Sequence, residues 1–331
     1  MPMRKFVRNI AIFLPIALLG YAMLICLLGD IKWVRSATTE MGNTSHTFSR
    51  IQDIANYHDV DILFLGSSHS YRTFDVRVYQ NLGLECFNLG SSNQTPLQTR
   101  VLLQEYLDSL NPKRIVFEVH PDIMGNDGVE STVDLLLHAP LTCELSQLAW
   151  NLRNMKCVNT WIYSVYNQKI RHKFDKFQDD TVFMGCKYIP GGYVETSASL
   201  FERKRYPRRN IKIRPEQMEA LEGCIKMFKE RNIPYILVQV QDSKQLSSSF
   251  KNMNQFQATM ANLGPFYYKE LPLCDTIHFS NSNHLNLAGV DIFNEYFVGL
   301  IDSLGWVEVP VCQALKIKVG SINSTYEDNE K

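Results

Sequence analysis

The chain has 331 residues, 45% hydrophobic and 21% charged, a globular composition long enough for one large α/β unit. Lys plus Arg and Asp plus Glu are equal at 34 each, so net charge argues against a nucleic-acid partner. None of the 8 cysteines forms a C-x-x-C pair, which leaves zinc ribbons and thioredoxin-like redox motifs unsupported; the pairing of Cys143, Cys157 and Cys186 stays open.

Arg4, Lys5 and Arg8 precede an uncharged, apolar-rich run from Asn9 to Gly29. Its length suits a bilayer crossing by residues 10–29. The basic flank predicts a cytoplasmic N-terminus with the rest exported. A cleaved signal peptide is the alternative, although its apolar core is usually shorter and no A-x-A site follows. Residues 1–30 are read as flank and signal anchor, and 31–56 as a polar stem, helical near Thr47 to Asn56.

Ile62-Leu63-Phe64-Leu65 is a continuous apolar run, the pattern of a strand buried on both faces. Gly66 permits a tight turn, and Ser67 or Ser68 then opens a helix, near free backbone N–H groups. A helix N-cap is the ordinary use of Ser there. A nucleophile beside an oxyanion hole is the other. Asp75 to Leu82 reads as a short helix ending at Gly83, and Cys86 to Leu89 as a second strand. Thr95 caps the next helix, with Pro96 in its first turn, and Asn111-Pro112 ends it. Arg114 to Val119 is a third strand. Strand, helix, strand at this spacing predicts βαβ units and a parallel sheet, with its site at the carboxyl ends of the strands. That rim would carry Ser68, Asn93 and His120.

Residues 122–213 interrupt the alternation with helical patterns near Val129 to His138 and Glu144 to Ile170, then a loop-like stretch from Cys186 to Tyr206. They read as an inserted helical cap over the rim. Alternation resumes with a helix from Pro215 to Arg231, a strand from Tyr235 to Val240, and a last helix capped by Asn286 and stopped at Gly305. The main domain is taken as 57–308, and 309–331 as a polar tail.

Gly66-Ser67-Ser68 resembles the first block of the SGNH (GDSL-type) hydrolases, and Asn281-Ser282-Asn283-His284 resembles their last block, Asp-x-x-His. The resemblance runs from about Asp61 to Trp306, weakly over 122–213. It implies a flavodoxin-like three-layer parallel sheet. It also implies Ser68 as nucleophile, His284 as base and Asn281 at the position of the family's Asp. Oxyanion donors would be the N–H groups of Ser68 and Asn93, since Asn93 stands where the family has a glycine. The third block's Gly-x-Asn-Asp is absent; Val119-His120-Pro121-Asp122 stands there, with His120 as a substitute donor or a plain loop histidine.

Asn281 can accept a bond from the imidazole but supplies no charge. Asp275 is the alternative carboxylate, or a plain surface residue. His69, His120, His278 and His284 do not have zinc-motif spacing, so no metal or cofactor is expected. Arg203-Lys204-Arg205-Tyr206-Pro207-Arg208-Arg209 could meet an anionic glycan or lipid head groups, or be a solvated face.

Similar anchored family members act on bacterial envelope or exported polysaccharides, often beside a multi-span acyltransferase. The resemblance therefore implies a single-pass inner-membrane protein facing the periplasm or exterior. Its activity would be that of an esterase or acyltransferase for acetyl esters of a glycan. The competing expectation is a degenerate domain that binds glycan or scaffolds an acyltransferase.

Overall fold

A computed structural model describes residues 2–31, 41–197 and 201–307. The expected tail at 309–331 and residues 32–40 of the expected stem lie outside the described residues. The helices in chain order are α1 (Pro2–Leu28), α2 (Thr47–Asp53), α3 (Ser68–Tyr71), α4 (Val76–Gln80), α5 (Pro96–Leu110), α6 (Pro121–Met124), α7 (Val129–His138), α8 (Cys143–Asn151), α9 (Met155–Lys169), α10 (Lys173–Lys176), α11 (Pro215–Glu230), α12 (Lys244–Ser247), α13 (Met253–Ala261), α14 (Asp275–His278) and α15 (Leu287–Ser303). The strands are β1 (Ile62–Leu65), β2 (Cys86–Asn88), β3 (Ile115–Glu118), β4 (Val182–Phe183), β5 (Cys186–Ile189), β6 (Tyr193–Thr196), β7 (Tyr235–Val238) and β8 (Phe266–Tyr267).

Five strands form one all-parallel sheet in the order β2-β1-β3-β7-β8. Renumbered within the sheet this is 2-1-3-4-5, the flavodoxin-like doubly wound order. Successive side chains enter opposite layers. Leu63, Leu65, Ile115, Phe117 and Leu237 share one core with α5 and α11. Ile62, Phe64, Val116, Ile236 and Val238 share the other with α15. Phe64 stacks on Phe74 at 4.7 Å, and both rings meet Phe297. Burying each such side chain contributes about 1.5–3 kcal/mol. The sheet is therefore sandwiched between two helical layers, and the strand ends at Leu65, Glu118 and Val238 open on one rim.

Two expectations change. Cys186 to Thr196 is not loop: β5 and β6 pair antiparallel, with β4 beyond them, in a small second sheet. Gly191 and Gly192, at φ +92° and +94°, supply the turn between β5 and β6. Buried Cys186 and Tyr188 alternate with exposed Lys187, a period too short to show against the flanking glycines. Thr47 to Asn56 is helical as expected, but it packs into the fold. Arg50 is buried, donates to the carbonyls of Gly192 and Ser45, and lies 4.5 Å over the Tyr71 ring.

Helices α7, α8 and α9 share the core on one face of the sheet, through Leu135, Leu145, Leu148 and Cys157. Described cysteines, including Cys143, Cys157 and Cys186, form no disulfide. Met3–Leu28 is long and apolar enough to cross a membrane and is not buried against the rest of the chain. Its C-terminal end rests on α9, where Tyr21 Oη donates to Asn159 at 2.6 Å.

Candidate active site

Gly66 follows β1 at φ +134°, a backbone open to glycine. A Cβ there would lie 2.6 Å from Glu118 Oε2. The bare backbone lets buried Glu118, at the end of β3, accept from the Ser67 N–H (2.9 Å) and from Ser67 Oγ (3.0 Å). Ser67 Oγ also takes the His69 N–H. Ser67 is thus the N-cap, fully buried, and Ser68 is the serine that faces the cleft.

Ser68 Oγ lies 2.7 Å from His284 Nε2. His284 Nδ1 lies 3.1 Å from Asn281 Oδ1, which also accepts the N–H groups of Asn283 (3.1 Å) and His284 (2.9 Å). If the imidazole accepts from Ser68 it must carry its proton on Nδ1, facing Asn281. The structure brings Ser68, His284 and Asn281 together. Burial pushes the His284 pKa well down, and the charges of His69, Arg72 and His120 push the same way. Asp275 is elsewhere: it accepts the N–H groups of Lys244 (2.8 Å) and Gln245 (3.1 Å).

The Ser68 N–H begins α3, and Asn93 holds φ +49° on the same cleft. Among the described residues neither N–H donates to a protein acceptor. His120 lines the cleft too, but it is not placed as the expected donor. Its Nε2 meets both oxygens of Asp242 at 3.0 Å, and its Nδ1 accepts the Asp122 N–H as the cap of α6. Burial would depress the His120 pKa; the Asp242 carboxylate overrides this and holds it at about 9. Asp242 is held at about 2 by His120, against a burial that would raise it. The Asp122 contact needs a bare Nδ1, so it is given up when the ring takes its second proton.

Below the pair lies a stack that the sequence did not reveal. The His69 ring packs 4.1 Å from His120 and 5.1 Å from His284. His69 Nδ1 meets Ser67 Oγ at 3.0 Å, and Nε2 stands 3.8 Å from Asp242. His69, His120 and Asp242 have donor atoms within 4.8 Å of one another. They fit a metal poorly. The two rings are nearly parallel, at 11°, so their lone pairs run side by side, and His120 Nε2 is committed to Asp242. His278 is apart, accepting the Cys274 N–H. The available signals for this cluster were Glu118 inside an apolar strand and Asp242 just past the end of β7.

No family model matches the chain, and no curated protein matches it. Among solved structures, it is similar to a GDSL-like lipase from Bacteroides thetaiotaomicron at 14% identity and TM-score 0.37, covering 79% of this chain and 100% of that one. It is similar to a candidate acylhydrolase from Bacteroides fragilis at 14% identity and TM-score 0.31, covering 80% and 99%. Likeness at this level carries no argument; the site rests on its own geometry.

Proposed function

We propose that the chain is an SGNH-type serine esterase or O-acyltransferase working through an acyl-enzyme on Ser68. The observation that carries this is the 2.7 Å contact between Ser68 Oγ and His284 Nε2. His284 takes the hydroxyl proton as Oγ attacks an ester carbonyl. The oxyanion is received by the N–H groups of Ser68 and Asn93. The protonated imidazole then gives its proton to the departing alcohol. Water or a sugar hydroxyl, deprotonated in turn by His284, takes the acyl group from Ser68. Asn281 fixes the tautomer throughout.

The motif resemblance supports an acetyl group and an envelope or exported glycan, with a multi-span acyltransferase as a neighbour in transfer. The basic flank before α1 supports an anchored domain outside the inner membrane. Acetate release from p-nitrophenyl acetate tests the chemistry: Ser68→Ala and His284→Ala should each abolish it in a folded chain. Activity that survives Ser68→Ala but not Ser67→Ala would move the nucleophile by one position. A reporter fused after Lys331 should be active only outside the cytoplasm; activity inside would reverse the topology.

One observation favours a second reading. Asn281 leaves the base without a carboxylate, which suits a domain that binds glycan or scaffolds an acyltransferase without turning it over. Folded protein with no esterase activity would favour it.

A further inference from the structure

Arg72 caps the C-terminal end of α3, one turn after Ser68, and lines the cleft of about 260 Å³ that holds Ser68 and His284. Its Nε is shut off from water and has no hydrogen-bond partner. Among the described residues no carboxylate stands within ion-pair distance of its guanidinium; its company is the Tyr71 side chain, whose ring centroid lies 5.7 Å away and whose hydroxyl supports the charge. Among the described residues the one carboxylate lining the cleft, Asp122, is already paired with Arg209 at 2.7 Å. Tyr71 supports that charge against burial but leaves the guanidinium without a carboxylate partner.

A second observation points the same way. The basic segment at 203–209 is tied to the site at two places. Tyr206 Oη donates to Ser282 Oγ at 2.6 Å, two positions before His284, and Arg209 grips Asp122 on the cleft wall. Beside these ties Arg205 and Arg208 are exposed, and no carboxylate of the described residues pairs with them. A run of cations fastened to the loop of the base is more than a solvated face.

We propose that the cleft takes an ester whose alcohol half carries a carboxylate, gripped by Arg72 while Ser68 attacks the acyl carbonyl, with Arg205 and Arg208 receiving further anions of a polymer. This rests on the esterase reading of Ser68. The planar fork of arginine matches a carboxylate in two parallel bonds. One guanidinium balances one negative charge; a phosphate monoester carries nearly two at neutral pH. Arg72 also helps to hold down the proton affinity of His284. A carboxylate on Arg72 cancels that charge, so the base strengthens when an acidic substrate is in place.

The experiment compares the full chain in detergent on an O-acetylated hexuronate and on its methyl ester. Wild type should prefer the acid at least tenfold in kcat/KM, chiefly through KM. The acid limb of its kcat profile should lie at higher pH with the acid than with the methyl ester. Arg72→Gln should erase both differences, and Arg72→Lys should keep part of the preference. Arg205→Gln with Arg208→Gln should weaken turnover of a hexuronate oligomer and spare the monomer. Equal wild-type rates on the two esters would overturn the proposal. So would an Arg72→Gln loss of the same factor on both, which would place Arg72 in the shared chemistry. If neither ester is turned over, calorimetry decides separately from the esterase assignment. Binding of the acid by Ser68→Ala protein, lost in Ser68→Ala with Arg72→Gln, supports the anion site; no binding overturns it.

Discussion

Asn281 Oδ1 faces His284 Nδ1 at 3.1 Å, so the imidazole beside Ser68 is oriented by a neutral amide that already accepts two backbone N–H groups. The arrangement supplies the direction of a catalytic triad without its charge. An aspartate in that place would stabilise the imidazolium that forms as serine attacks.

Asn281→Asp should therefore raise the esterase rate. The reverse change costs a serine protease about 10⁴-fold; a gain of about tenfold or more is expected here, read as kcat/KM on p-nitrophenyl acetate. Asp275→Asn should change that rate by less than about twofold, because Asp275 caps α12 and does not touch His284. A damaging Asp275→Asn with an inert Asn281→Asp would exchange their roles.

The pH profile of wild type follows from the same surroundings. His284 acts as a base only when unprotonated, and burial with nearby positive charge pushes its pKa well down. The acid limb of kcat/KM on a neutral ester should lie below the ordinary histidine value of about 6.5. In Asn281→Asp the limb should move up. An acid limb above about pH 7 in wild type would contradict the placement of His284.

Ser68 and His284 act as one unit if the contact is functional. Ser68→Ala with His284→Ala should then cost little more than either alone, each measured against the uncatalysed rate with folding checked by circular dichroism. Additive losses would mean two independent effects.

Asp242 and His120 predict a stability effect with a definite pH sign. Asp242 is held at about 2, below its unfolded range of about 4, so its contribution is present above about pH 4 and lost as pH falls toward 2. His120 is held at about 9, above its unfolded value of about 6.5. Its contribution is full below about pH 6.5 and lost as pH rises through about 9. The pair should count most between about pH 4 and 6.5. Asp242→Asn should cost about 3 kcal/mol in chemical denaturation at pH 6, since it strips a buried partner, and less at pH 9.5. Equal costs at both values would show that His120 does not take its second proton beside Asp242.

Much of this was legible from residue order. The unbroken Ile62–Leu65 run gave a doubly buried strand, and Thr95-Pro96 and Asn286 gave helix starts that the structure shows. Gly66-Ser67-Ser68 and His284 could be paired because motif spacing survives in sequence. The His69–His120–Asp242 stack could not. Its members lie on three segments that meet only when the sheet orders β1, β3 and β7 side by side. The β5–β6 hairpin was hidden by its double-glycine turn, and the Arg72 environment by its dependence on which side chains fold beside it.

The most direct test is labelling of the full chain with a serine-directed fluorophosphonate, followed by mapping of the modified residue. The account predicts modification of Ser68 in wild type, none in Ser68→Ala, and sharply reduced labelling in His284→Ala. Folded wild-type protein that stays unlabelled, or labelling that persists in Ser68→Ala, would contradict it.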